Sequence, residues 1–299
     1  MDRPWKTGFF KEPVAGPVAF TSAGADGDEQ ADRVNHGGPD KAVLADSADH
    51  YLGWRTELEI PELPFGAFAE NILDKLRIWA GELTPKDVVF HDYHIINDQV
   101  LAGRGGLIFV THLGNVEVTR ALPTRKNGVR LTVLVHTKHA ETFNALLAEF
   151  DPASTMNILQ VTDITADTVI RLRERVDRGE YIVIAADRVP IAERPRVAPA
   201  EFLGAPAGFP VGPYVLASLL QCPTYLLFCI PERGTYHVYF EHFHERIVLP
   251  RLTRDAALRK LAAEFAGRLA HYCQRAPLQW FNFYDFWDMS HSAAPDATR

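Results

Sequence analysis

Short, nearly all-apolar runs separated by helix-spaced segments leave a chain little choice but a parallel sheet covered by helices, because such strands must be buried on both faces. From Leu107 onward that pattern holds: Leu107-Ile108-Phe109-Val110, Leu131-Thr132-Val133-Leu134-Val135 and Tyr181-Ile182-Val183-Ile184-Ala185 are apolar and rich in β-branched residues. Ahead of the third run, Ile164, Val169, Leu172 and Val176 keep near-helical spacing, and Gly179 follows as the stop that frees Tyr181 to begin a strand. Leu258, Leu261, Phe265, Leu269 and Tyr272 mark one face of a later helix that Pro277 ends. The predicted fold class is α/β, a mostly parallel sheet flanked by helices.

The longest apolar stretch, Val211 to Ile230, is broken by Pro213, Ser218, Gln221, Pro223 and Thr224, which suits a buried helix followed by a strand better than a membrane span. A net charge of −7 argues against a duplex nucleic-acid partner, which calls for a concentrated basic footprint. Cys222, Cys229 and Cys273 form no C-x-x-C pair and no apolar leader opens the chain, so a reducing, cytoplasmic setting without disulfides is expected.

His112 follows an apolar strand directly and precedes Gly114-Asn115, which places it at the carboxyl end of a strand, where open α/β sheets hold their ligands. Glu117 lies five residues on and can reach the imidazole if Gly114 and Asn115 turn the chain. A carboxylate there fixes one tautomer, and the imidazole can then take a proton from an attacking alcohol. By spacing alone the pair also fits a hydrogen-bonded structural histidine. Asp187-Arg188 ends the strand from Tyr181 and is expected at the same sheet edge, where Arg188 would meet an oxyanion or a phosphate, or simply form a surface pair with Asp187. Arg120, Arg125, Lys126, Arg130 and Lys138 gather after the histidine, either as a phosphate-meeting cluster or as a solvated face. The closing aromatics Trp280, Phe281, Phe283, Tyr284, Phe286 and Trp287 suit core packing or a membrane-interface belt. His91 with His94, His136 with His139, and His242 with His244 lack a third ligand, so no metal or other cofactor is expected.

The segment Thr111-His112-Leu113-Gly114-Asn115-Val116-Glu117 resembles the histidine, four residues, acidic signature of the lysophospholipid acyltransferase superfamily, and its Gly-Asn interior resembles the lipid A late acyltransferase branch. The likeness continues through Asp187-Arg188, Phe202-Leu203-Gly204, Phe209-Pro210-Val211-Gly212-Pro213, Cys222-Pro223-Thr224 and Pro277-Leu278-Gln279-Trp280-Phe281, over about residues 72–288. It implies fatty acyl transfer from an acyl carrier protein or coenzyme A thioester to a hydroxyl of a lipid or glycolipid. His112 would be the general base, Glu117 its partner and Arg188 the charge stabiliser. Asn115, Arg120, Asp187, Phe202, Gly204, Phe209 and Gly212 would line the substrate. Without a membrane anchor, a soluble or peripheral cytoplasmic protein is expected, reaching its acceptor on the inner face of the cell membrane through basic and apolar contacts.

The first part of the chain has a different texture of glycines, prolines and short apolar pieces, which predicts strands and turns. Phe10-Lys11-Glu12-Pro13-Val14-Ala15-Gly16-Pro17-Val18, His36-Gly37-Gly38-Pro39-Asp40-Lys41 and Phe65-Gly66-Ala67-Phe68-Ala69-Glu70-Asn71 resemble the front of a MOSC domain, a β-rich module related to the C-terminus of molybdenum cofactor sulfurases. The expected organisation is therefore half a MOSC barrel over residues 1–71, an acyltransferase-like domain over residues 72–290 and a flexible tail over residues 291–299. Two other functions stand beside acyl transfer. One is binding of a molybdenum-pterin or another oxyanionic ligand near His36 and Lys41, and the other is a non-catalytic lipid- or carrier-binding scaffold.

Overall fold

The computed structural model describes residues 63–79, 82, 87–121, 129–135, 156–160, 165–189, 195–282 and 286–288. All of them belong to one compact unit, Pro39–Arg299. In chain order the elements are α1 (Leu63–Trp79), β1 (Val88–His91), α2 (Tyr93–Leu101), β2 (Gly106–Val110), a 3₁₀ helix (Val116–Ala121), β3 (Leu131–Val135) and β4 (Met156–Gln160). They continue with α3 (Ala166–Asp177), β5 (Tyr181–Ala185), β6 (Val197–Phe202), β7 (Ala205–Pro210), α4 (Gly212–Leu220), β8 (Thr224–Glu232), β9 (Thr235–His244) and α5 (Arg254–Arg275).

Seven strands form one sheet in the order β1-β9-β8-β2-β5-β3-β4, and β6 with β7 makes a separate hairpin. From β8 through β4 every neighbouring pair is parallel, while β9 runs antiparallel to β8 and carries β1 beside it in its own direction. The α/β reading and its parallel sheet are thus what the chain builds. The apolar stretch from Val211 divides into α4 and β8, and Gly179 sits at φ +81° where α3 stops.

Strand β2 is buried on both faces, as its unbroken apolar run requires. Leu107 and Phe109 enter the core under α4, α5 and the β6–β7 hairpin, while Ile108 enters the opposite core with Val183, Leu227 and Val238.

One expectation is corrected. Residues 63–71 are the first half of α1, not part of a β-rich segment. Gly66 and Pro64 gave the stretch its turn-like texture, yet Pro64 falls in the first helical turn, where its missing N–H is not needed. Buried Asn71 and half-buried Phe68, Asp74, Lys75 and Ile78 share one helix-spaced face. The rest of residues 1–62, with His36 and Lys41, lies outside the described residues. No helix among the described residues is long and apolar enough to cross a membrane.

Candidate active site

Strands β2 and β5 lie side by side in parallel, with Val110 opposite Ala185. Two residues past each strand stand His112 and Asp187, so the register carries both to the same sheet edge. They meet there through two hydrogen bonds. The His112 backbone N–H donates to Asp187 Oδ2 at 2.7 Å, and His112 Nδ1 lies 2.8 Å from Asp187 Oδ1. The imidazole is partly open to solvent, at 31% side-chain exposure, whereas Asp187 is wholly buried. A buried carboxylate that accepts from Nδ1 requires the proton on that nitrogen, which leaves Nε2 with the lone pair.

Three neighbouring elements hold this edge. Gly114 adopts φ +68° and presses on β8, where Asn115 N–H donates to the Cys229 carbonyl at 2.9 Å. A Cβ on Gly114 would lie 1.8 Å from that carbonyl oxygen, so only glycine fits. On a second side runs the chain after α5, which pairs with the histidine loop: Gly114 N–H donates to Gln279 O at 2.7 Å and Phe281 N–H to His112 O at 3.0 Å. From α1, Asn71 Nδ2 donates to Gly114 O at 3.0 Å, and Asn115 Nδ2 donates to Asn71 O at 3.3 Å. Behind Asp187, Trp280 Nε1 donates to Oδ2 at 3.0 Å and Asn282 Nδ2 to the Asp187 backbone carbonyl at 3.1 Å.

Burial alone would push the Asp187 carboxyl up. The charge of His112, its two hydrogen bonds and the Trp280 indole outweigh that cost and hold it below its ordinary value. A depressed carboxylate contributes stability that is complete above its unfolded value, about 3.9, and is lost as pH falls through the lower folded value. The urea midpoint of the wild type is therefore expected to lose its margin over Asp187→Asn as the pH is lowered past about 4, and an unchanged margin would contradict the paired, ionised state.

The other residues expected at the site fall into four groups. Arg188 shares the edge, with Nε and Nη2 donating to Asn282 Oδ1 at 3.1 and 3.0 Å and Nη2 also reaching Phe281 O at 2.9 Å. Phe202 and Phe209 pack together at 5.5 Å, and Phe202 stands 5.1 Å from the Trp280 ring, so an aromatic cluster with Phe286 joins the β6–β7 hairpin to the back of Asp187. Gly204, at φ +93°, forms the hairpin turn with Leu203, and Gly212 opens α4 in open space. Glu117 lies on the 3₁₀ helix that follows the loop, as does Arg120; the positions of both side chains, and residues 125, 126 and 138, are outside the described residues.

Asn71, Trp280 and Asn282 were not chosen from the sequence. A polar Asn282 inside an aromatic run, two residues from Trp280 and hence on the same side of an extended chain, was the available signal. His91 pairs with His237 at 2.9 Å instead of His94, and His244 pairs with Glu264 at 2.7 Å. Among the described residues no group of three or more His, Cys, Asp or Glu could hold a metal ion.

Comparison with known proteins adds two findings. A MOSC domain model matches residues 32–102. In keeping with it, the chain is 38% identical over 96 residues to the uncharacterized protein YflK of Bacillus subtilis (strain 168) and 38% identical over 79 residues to protein YiiM of Escherichia coli (strain K12). These matches cover 32% and 24% of this chain and 40% and 35% of those proteins, so the chain spans well under half of either relative. The larger finding concerns the body that carries His112 and Asp187. There the bacterial lipid A biosynthesis acyltransferase model matches residues 68–288, most of the chain and the whole of the sheet, and the chain belongs to that family.

Proposed function

We propose that the chain transfers a fatty acyl group from the thioester of acyl carrier protein or coenzyme A to a hydroxyl of a lipid or glycolipid, with His112 as general base. The observation that carries this reading is the partly exposed imidazole whose Nδ1 is held by a buried carboxylate, an arrangement that would leave Nε2 for a substrate. Nε2 takes the hydroxyl proton as the alkoxide oxygen attacks the thioester carbonyl. The tetrahedral oxyanion then collapses, the C–S bond breaks, and the imidazolium returns the proton to the leaving thiolate. One ester and one thiol result from one alcohol and one thioester.

Arg188 stands at the same edge as a source of positive charge for the oxyanion or for a phosphate of donor or acceptor. Glu117, five residues past the histidine, would be a second acidic group near it; Arg120, Gly204 and Gly212 would meet the substrate, while the fully buried Asn115, Asp187, Phe202 and Phe209 would shape the site from behind. A peripheral position on the inner membrane face would bring such an enzyme to a lipid acceptor. The MOSC match supports a second reading, oxyanion or molybdenum-cofactor binding by the N-terminal segment, for which bound molybdenum in the purified chain is the check.

The test is transfer of a labelled acyl group from each donor to a lipid extract by wild type and by His112→Ala. Loss of the base is expected to lower turnover by about 10² to 10⁴. Wild-type turnover in a folded His112→Ala variant would sink the proposal.

A further inference from the structure

The hydrogen bonds behind His112 point past the histidine to the groups that set its tautomer. We infer that Asp187, clamped by Trp280 and Asn282 of the segment after α5, is the positioning residue that keeps the His112 proton on Nδ1 and Nε2 open to the acceptor hydroxyl. This rests on the acyl-transfer reading for its consequence but not for its geometry.

The two carboxylate oxygens have unequal surroundings. Oδ2 accepts from the His112 backbone N–H at 2.7 Å and from the Trp280 indole at 3.0 Å, and Asn282 Nδ2 stands 3.5 Å away. Oδ1 faces the imidazole at 2.8 Å. The Oδ2 position is thus surrounded by donors, and only an acceptor can occupy it. Asn282 completes the clamp by holding the Asp187 backbone carbonyl and, through its own oxygen, the Arg188 guanidinium. This segment after α5, a strap across the sheet edge, is in turn fixed to the histidine loop by the Phe281 and Gln279 backbone bonds. Asp187, Trp280 and Asn282 touch no reacting atom; they act through the imidazole.

This arrangement makes Asp187→Asn an unusually discriminating substitution. The amide is the same size, and its oxygen must take the Oδ2 position among the donors. Its NH₂ group then faces Nδ1, which has to become an acceptor and so gives its proton to Nε2. The variant keeps the fold's contacts and blocks the nitrogen that acts as base.

The experiment is a nitrogen-15 spectrum of His112 in the full chain, assigned with His112→Gln, alongside steady-state kinetics. The neutral wild-type imidazole is expected with hydrogen on Nδ1, Asp187→Asn with hydrogen on Nε2, and Glu117→Gln with the wild-type tautomer. Asp187→Asn should lower kcat by about 10² to 10⁴ with KM little changed. Hydrogen on Nε2 in the wild type, or a tautomer that follows Glu117 instead of Asp187, would overturn the assignment, and the wild-type spectrum decides this even if Asp187→Asn folds poorly. The expected tautomers without acyl transfer by the wild type would leave the positioning role standing and remove the transfer reading.

Discussion

Gly114→Ala is expected to cost about 2 to 5 kcal/mol of stability, from a left-handed backbone worth about 1 to 2 and overpacking worth about 1 to 3. The added Cβ cannot be relieved by a rotamer change, since it meets the main-chain oxygen of Cys229 in the middle of β8. The loop must lift, and lifting it stretches the bonds from Gly114 to Gln279 and from Asn71 to Gly114. His112 sits two residues away on the same loop, so its imidazole moves with it. With His112 as the proposed base, a displacement on the order of 1 Å there costs about 10² in rate, so turnover per folded molecule should fall at least that far. A urea titration and a rate normalised to folded protein measure the two losses separately. Wild-type turnover from Gly114→Ala would show that this loop does not set the position of the proposed base.

Phe265→Ala is expected to be as damaging to stability by a different route. Phe265, on α5, is fully buried and touches Phe109 of β2 at 6.2 Å and Phe209 of β7 at 5.8 Å between ring centroids. It is therefore one of the residues through which α5 braces both β2, the strand that leads to His112, and the hairpin beside it. Emptying such a site costs about 3 to 5 kcal/mol, which in a domain of this size lowers the melting temperature by roughly 6 to 20 °C. Calorimetry checks it, and a drop of only a degree or two would mean that the core collapses around the missing ring.

The parallel sheet was legible because β2, β3 and β5 announce themselves by composition, and the helices before β5 and at the end of the body by spacing and stop signals. That His112 and Asp187 share a sheet edge was also within reach, because each follows an apolar strand; that β2 and β5 are neighbours in one register was not. What the sequence did not show is which carboxylate serves the imidazole. Glu117 is near His112 along the chain, whereas Asp187 is near it only through the pairing of β2 with β5, a contact between residues 75 apart. The strap was hidden for the same reason. Trp280 and Asn282 read as members of an aromatic tail until the return of the chain from α5 sets them behind Asp187. Helix α1 was missed because Pro64 and Gly66 look like turn residues, while the face that matters, around Asn71, acts on a loop more than 40 residues away.

The most direct test of the central claim follows the two products of one reaction together. The purified protein is incubated with a labelled acyl thioester and a lipid extract, and released thiol and newly acylated lipid are measured over time. The expected result is one acylated lipid for each thiol released, with both falling away in His112→Ala. Thiol released without acylated lipid, or neither product from folded wild type, would contradict the claim that this site is a transferase.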